Sequence, residues 1–367
     1  MKILHTADLH LDSPFDGLSP KKAASRRSEQ RTLLGRIVEV AEKESVDAVL
    51  LSGDLLDSDV SYYETGEELL KCVRAISAPV FISPGNHDFY SSRSPYARLD
   101  FPGNVHIFKT DVIDCVELPN LGFRVFGAAF TDTLSSPLLE GFHAYRDDGM
   151  LNVMCIHGEP GKTSSRYNSV TEDQIAGSGM HYIGFGHNHK SSGLKKAGQT
   201  WYSIPGCPEG RGFDETGRKT INIVDLEETG CTIREVSVAL RNYEVLKVDV
   251  SSADPFLAVQ LALPDDTITD IYRVVLTGEC ESGIDIEELY QRLKEYFYDL
   301  RIQDSTHVTR NIWENACTDT LKGLFISRMR KKYDAASGAD EKLKIEQAVR
   351  WGLTALDNGE EIARHED

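Results

Sequence analysis

The chain has 367 residues, 40% of them hydrophobic and 27% charged, with a formal net charge of −18. That length leaves room for two domains, and the composition excludes fibrous, low-complexity and membrane-embedded classes. Seven cysteines, never spaced as CxxC, exclude a disulfide framework and a cysteine-rich zinc site, and fit reduced thiols in a cytoplasmic protein.

The opening MKILHTADLH is too short an apolar stretch for a secretory signal, and no run approaches a membrane span. Net acidity weighs against nucleic acid as a partner, since phosphate contacts need Lys and Arg. The acidity is uneven, however. Residues 1–50 carry 8 basic and 8 acidic side chains, whereas residues 251–300 carry 3 and 11.

In chain order, KILHTAD predicts a first strand, and RSEQRTLLGRIVEVAEKES has Leu33, Leu34, Ile37, Val38 and Ala41 at helical spacing. VDAVLLSGD predicts a strand, ETGEELLKCVRAIS a helix, and APVFISPGNHD another strand. FRVFGAAF, LNVMCIHG, HYIGFGHNH, TWYSIPG, KTINIVDL and CTIREVSV follow as further strands. Strand–helix alternation leading into a strand-rich stretch predicts a layered α/β domain with mixed sheets flanked by helices, over residues 1–240. Residues 241–367 predict a smaller α+β unit: NYEVLKVDVSS and DIYRVVLTGE as strands, DIEELYQRLKEYF as a helix, then two helices joined by SGA.

Several strands end in polar residues of one kind. They give Asp8 and His10 (ADLH), Asp54 (SGD), Asn86, His87 and Asp88 (PGNHD), His157 (CIHG), and His187 and His189 (GHNH). Carboxyl ends of strands are where ligand-binding groups converge in α/β sheets. Gly53, Gly85, Gly158 and Gly186 permit sharp turns and close backbone approach beside them. Singly, a DxH or HxH is more often a solvated turn. The ordered set across one domain instead points to two divalent metals with mixed oxygen and nitrogen ligands. His5, in mid-strand, reads as a core histidine, and His106, His143, His181, His307 and His365 as structural or surface residues.

These motifs resemble those of the calcineurin-like metallophosphoesterases over roughly residues 1–230. The resemblance implies one metal held by Asp8, His10 and His189, a second by Asn86, His157 and His187, and Asp54 as the bridge. Two divalent ions against two carboxylates leave a positive surplus suited to an anionic phosphoester, and the ligand softness is compatible with Mn, Fe, Co or Zn. His87 is not a ligand in the family pattern, and is expected to act as general acid or to stabilise the phosphoryl oxygen. Asp57 of GDLLD is expected to hold the His87 imidazole, and Asp88 to close its turn.

ILHTADLHLDSPF, the basic helix after it (Lys21, Lys22, Arg26, Arg27, Arg31) and IPGCPEGRGFDETG at 204–217 are similar to the SbcD-like DNA-repair nucleases. That likeness implies Mn-dependent exonuclease and endonuclease action on DNA, a capping domain, a homodimer and an SMC-type ATPase partner of the SbcC kind. Arg26, Arg27 and Arg31 are the expected DNA contacts, and Arg328, Arg330, Lys331 and Lys332 mark a helix expected to meet the ATPase. Archaeal and eukaryotic members carry histidine where this chain has Asp57, so no role of that histidine transfers. Ser58, Asp59 and Asp88 depart from the protein serine/threonine phosphatase pattern. Two other readings stand beside the nuclease: a small-molecule phosphodiesterase or nucleotidase, and a scaffold that regulates an ATPase. A non-ligand histidine beside a full ligand set favours catalysis over the scaffold. A separate domain after residue 240 favours a polymer substrate.

Overall fold

The computed structural model describes residues 1–146, 149–251, 253–280, 283–308, 312–313, 316 and 320–358. Cys317 and His365, expected as a thiol and a surface histidine, lie outside the described residues. The elements begin with β1 (Lys2–Thr6), α1 (Pro20–Glu44), β2 (Ala48–Leu51), α2 (Tyr63–Ala75), β3 (Val80–Ile82), α3 (Pro95–Arg98) and β4 (Val105–Ile107). Next come β5 (Asp114–Leu118), β6 (Phe123–Gly127), β7 (Leu151–His157), β8 (Glu159–Pro160), β9 (Ser169–Val170) and α4 (Glu172–Gly177). β10 (Tyr182–Gly186), β11 (Gly193–Ala197), β12 (Thr200–Ile204), β13 (Ile221–Leu226) and β14 (Cys231–Val236) complete the strand-rich stretch.

Two six-stranded sheets form, in the orders β14-β13-β1-β2-β3-β4 and β11-β12-β10-β7-β6-β5. Each has four parallel strands, β1 to β4 in one and β6, β7, β10 and β12 in the other, with antiparallel strands at the margins. The sheets face one another. Ile3, Ala48, Leu50 and Phe81 from the first pack with Val125, Val153, Cys155 and Tyr182 from the second. Alternate residues Leu4, Val49, Leu51 and Val80 point the other way, onto Leu33, Leu34, Ile37 and Ala41 of α1 and Leu69 and Val73 of α2. The outer face of the second sheet packs against Ile175 of α4. This period-two division between two apolar layers explains the near-continuous hydrophobic runs of the strands. The result is a layered α/β fold with mixed sheets flanked by helices.

α1 begins at Pro20, with Ser19 as its N-cap, earlier than the periodic apolar residues predict. Its first turns are polar and carry no hydrophobic stripe, while a capping serine followed by proline starts a helix on its own.

The chain divides into two compact units: Met1–Val245 with Asp266–Tyr272 and Phe297–Asp299, and Leu246–Asp265 with Arg273–Tyr296 and the residues from Leu300 onward. The second contains α5 (Pro255–Ala262), α6 (Ile286–Leu293), α7 (Leu321–Ala335) and α8 (Ala339–Asn358), the last two forming a helical hairpin. Among the described residues no helix is long and apolar enough to cross a membrane.

Candidate metal centre

Beyond the carboxyl ends of β1 and β2 the backbone ladder continues although the strands have stopped. Asp8 N donates to Gly53 O at 3.0 Å, His10 N to Asp54 O at 2.9 Å, and Asp57 N to Leu11 O at 2.9 Å. This ribbon sets Asp8, His10 and Asp54 side by side. Asp8, His10, Asp54 and His187 all take positive φ, at 57°, 44°, 51° and 93°. Non-glycine residues adopt that region at a cost, and such strain clusters at functional sites.

The third strand end is clamped onto the second by Asp88. Its buried carboxylate accepts from Gly85 N at 2.8 Å, Asp54 N at 3.2 Å, Leu55 N at 2.7 Å and Leu56 N at 3.2 Å, and from the Tyr96 hydroxyl. Asp88 thus closes the GNHD turn as expected. His87 N donates to Asp54 Oδ1 at 2.9 Å. From the second sheet, His187 N donates to Asp8 Oδ1 at 2.9 Å. Two glycines are required by proximity: a Cβ at Gly85 would lie 2.2 Å from Asp54 Oδ1, and one at Gly186 would lie 1.9 Å from Ser52 O.

The side chains converge in two groups. His10 Nε2 lies 3.1 Å from His189 Nε2, and a ligand atom of Asp8 stands within 4.8 Å of both. Asn86 Oδ1 lies 3.1 Å from His157 Nε2 and 3.0 Å from His187 Nδ1, and the two nitrogens are 3.2 Å apart. Asp54 Oδ2 stands between the groups, 3.4 Å from His157 Nε2 and 3.7 Å from His10 Nε2. Asp8, His10, Asp54 and His157 are buried, Asn86, His187 and His189 half-buried, and His87 exposed.

The outward nitrogens have partners of their own. His10 Nδ1 is 3.1 Å from Asp57 Oδ1, His157 Nδ1 is 2.8 Å from Ser52 O, and His189 Nδ1 is 2.6 Å from Glu215 Oε1. In the tautomer that donates Nδ1–H to these oxygens, each Nε2 is a lone pair. Lone pairs then face one another across little more than 3 Å, an arrangement that calls for a cation among them. The donor set of carboxylates, an amide oxygen and imidazoles fits divalent metal ions.

Without a metal the cluster divides its charge unevenly. Burial pushes Asp8 up to about 6, against the pull of His157, with Asp54 adding to the rise. Burial works against ionisation of Asp54 too, but the imidazoles of His157, His10 and His87 hold it well below the carboxylate range. His157 is raised to about 9 because Asp54 and Asp8 outweigh its burial. His10 and His187 are lowered to about 4, chiefly by burial.

Two expectations need correction. The Asp57 carboxylate does not meet His87; it meets His10, Ser13 Oγ at 3.0 Å and Arg211 Nη1 at 3.0 Å, and His87 Nδ1 lies instead 3.2 Å from the Asp57 carbonyl. Arg26 presents no charge to solvent: its guanidinium is fully buried, 2.5 Å from both Glu29 and Glu209. Arg27 and Arg31 are partly exposed, Arg27 donating to Pro14 O at 3.0 Å and Arg31 standing 3.8 Å from Asp12. Away from the centre, His5 is a core residue with Nδ1 2.8 Å from Tyr182 Oη, and buried His181 accepts from Asn152 N at 2.9 Å. His87 also has a ligand atom within 4.8 Å of His10 and Asp54. Glu215 and Arg211, absent from the expected set, lie in the GRGFDE stretch at its border.

The calcineurin-like phosphoesterase family model matches residues 1–191. The chain belongs to that family. Calcineurin-like phosphoesterases hydrolyse phosphoesters with divalent metals, and the clustered Asp and His side chains lie at or inside the matched span. Among curated relatives, the uncharacterized metallophosphoesterase YhaO of Bacillus subtilis is 27% identical over 349 residues, covering 85% of this chain and 83% of that one. The SbcD subunit of the nuclease SbcCD from the same organism is 25% identical over 61% of this chain and 66% of its own length. The DNA double-strand break repair protein Mre11 of Saccharolobus solfataricus is 24% identical over 73% and 71%.

Proposed function

We propose that this phosphoesterase is a DNA-cleaving phosphodiesterase, the nuclease subunit of an SbcD-like pair with an SMC-type ATPase in the cytoplasm. The observation that carries the reading is the convergence of ligand-type atoms from both sheets beside an exposed histidine, in a chain whose relatives include a named nuclease subunit and a DNA double-strand break repair protein. Under this reading Asp8, His10 and His189 hold one divalent ion, Asn86, His157 and His187 a second, and Asp54 both. Mn²⁺ is the ion expected first, although Fe, Co or Zn suit the same donors. Bound there, divalent ions supply positive charge against the phosphoryl oxygens and make water a stronger nucleophile.

His87 is free to meet substrate, because its backbone is tied to Asp54 and its Nδ1 rests on a carbonyl. A proton held on that ring can pass to the leaving oxygen, or hydrogen-bond a phosphoryl oxygen. Asp57 steadies His10 rather than His87. Arg27 and Arg31 are the remaining phosphate contacts on α1, the second compact unit serves as the capping domain, and the working form is a homodimer.

The test is an assay of linear DNA, circular single-stranded DNA and a chromogenic phosphodiester side by side with Mn²⁺. Cleavage of DNA supports the nuclease. Turnover of nucleotides or the chromogenic ester without DNA cleavage assigns a small-molecule phosphodiesterase, and bound metal with no hydrolysis assigns a scaffold.

A further inference from the structure

Arg211 and Glu215 have no part in the reading above, yet they lie directly behind two of its imidazoles. Glu215 is buried and its Oε1 is 2.6 Å from His189 Nδ1. Arg211 Nη2 donates to the same oxygen at 2.8 Å, while Nη1 donates to Asp57 Oδ1 at 3.0 Å, the oxygen that faces His10 Nδ1. Arg211 N and Nε reach Glu215 Oε2 at 2.8 and 3.4 Å. The path runs His10–Asp57–Arg211–Glu215–His189 and closes where the two Nε2 atoms meet at 3.1 Å. One guanidinium therefore joins the two carboxylates that orient both histidines.

The other group is backed differently. His157 donates to a neutral backbone carbonyl, and the outward Nε2 of His187 is 3.8 Å from Glu159, beyond hydrogen-bond reach. Two carboxylates and one guanidinium leave a net negative charge behind His10 and His189, and an anionic acceptor strengthens an imidazole as a ligand.

The geometry points to Glu215 and Arg211 as positioning residues for one half of the metal centre: they fix His189, and through Asp57 His10, for the ion that Asp8 shares. The inference rests on the two-metal reading and adds that the two half-sites are unequal.

Equilibrium Mn²⁺ uptake, read from the electron paramagnetic resonance of the free ion, tests it on the full chain. Wild type should take up two ions. Glu215→Ala should weaken one of the two steps by on the order of 10–100-fold and leave the other unchanged. Glu215→Gln, which keeps an acceptor oxygen without the charge, should weaken the same step by less, and decides the matter if the alanine variant fails to fold. Arg211→Ala should act on that same step. A role confined to holding the loop predicts a lower melting temperature with both steps shifted alike, and that outcome overturns the inference. So does wild-type uptake in both glutamate variants. A wild-type chain that binds no Mn²⁺ overturns the two-metal reading itself, and this inference with it.

Discussion

His87 and Asp54 touch through one hydrogen bond, His87 N to Asp54 Oδ1, but substitution should separate their work. His87→Ala is expected to retain both metals and lose on the order of 10²–10⁴-fold in rate, the worth of a general acid–base group. Asp54→Ala is expected to lose metal and rate together, because its carboxylate faces both groups. Elemental analysis beside kinetics distinguishes them, and a metal-free His87→Ala protein would make His87 a ligand, as its position near His10 and Asp54 allows. His5 supplies a prediction independent of metals. Burial lowers its pKa to about 3, against ~6.5 in the unfolded chain. Between those values the unfolded chain binds a proton that the folded chain refuses, so stability falls as pH drops below ~6.5, by about 1.4 kcal/mol per pH unit. Denaturant titrations at several pH values should show that slope reduced in a His5→Gln chain, and equal slopes would refute it.

At the scale of elements, the strand ends were legible because their chemistry is local: ADLH, SGD, GNHD, CIHG and GHNH each sit within a few residues of one turn. The support behind them was not. Glu215 is 26 positions from His189, Asp57 is 47 from His10, and charged loop residues look alike in sequence whether solvated or buried. Nor does sequence mark which ligands themselves adopt left-handed backbone; attention falls on the neighbouring glycines. α1 illustrates the same limit. Its arginines form one basic stretch, but the partner that buries Arg26 is Glu209, 183 residues away. Arg26→Ala should therefore act on stability, costing on the order of 3–5 kcal/mol by leaving buried Glu209 partly unpaired. Thermal melts should reveal that loss while metal uptake by the folded fraction is retained; a normal melting curve would contradict it. Layered sheets were legible from runs of apolar residues, although the marginal strands β4, β5 and β11 were not, being short or polar.

For the whole molecule, the net charge of −18 makes DNA binding a matter of where cations are placed rather than how many there are. If α1 meets DNA through Arg27 and Arg31, neutralising both should weaken binding and flatten log K against log salt by ~0.9 per lost contact on duplex DNA. Hydrolysis of a chromogenic diester should hardly change, and an unchanged salt slope would remove α1 from the interface. The seam between the sheets has a further consequence. Asp8, Asp54 and Asn86 leave the first sheet, and His157, His187 and His189 leave the second, so every proposed ion is shared between strand ends up to 181 positions apart. An ion held as proposed would act as a reversible cross-link across the sandwich. The sheets cannot part while it is bound, and its affinity becomes folding free energy, worth ~2.7 kcal/mol at a free concentration of 100 Kd per independent site. Chelation should then do more than stop turnover: it should lower the melting temperature and leave the strand-end loops more open to protease.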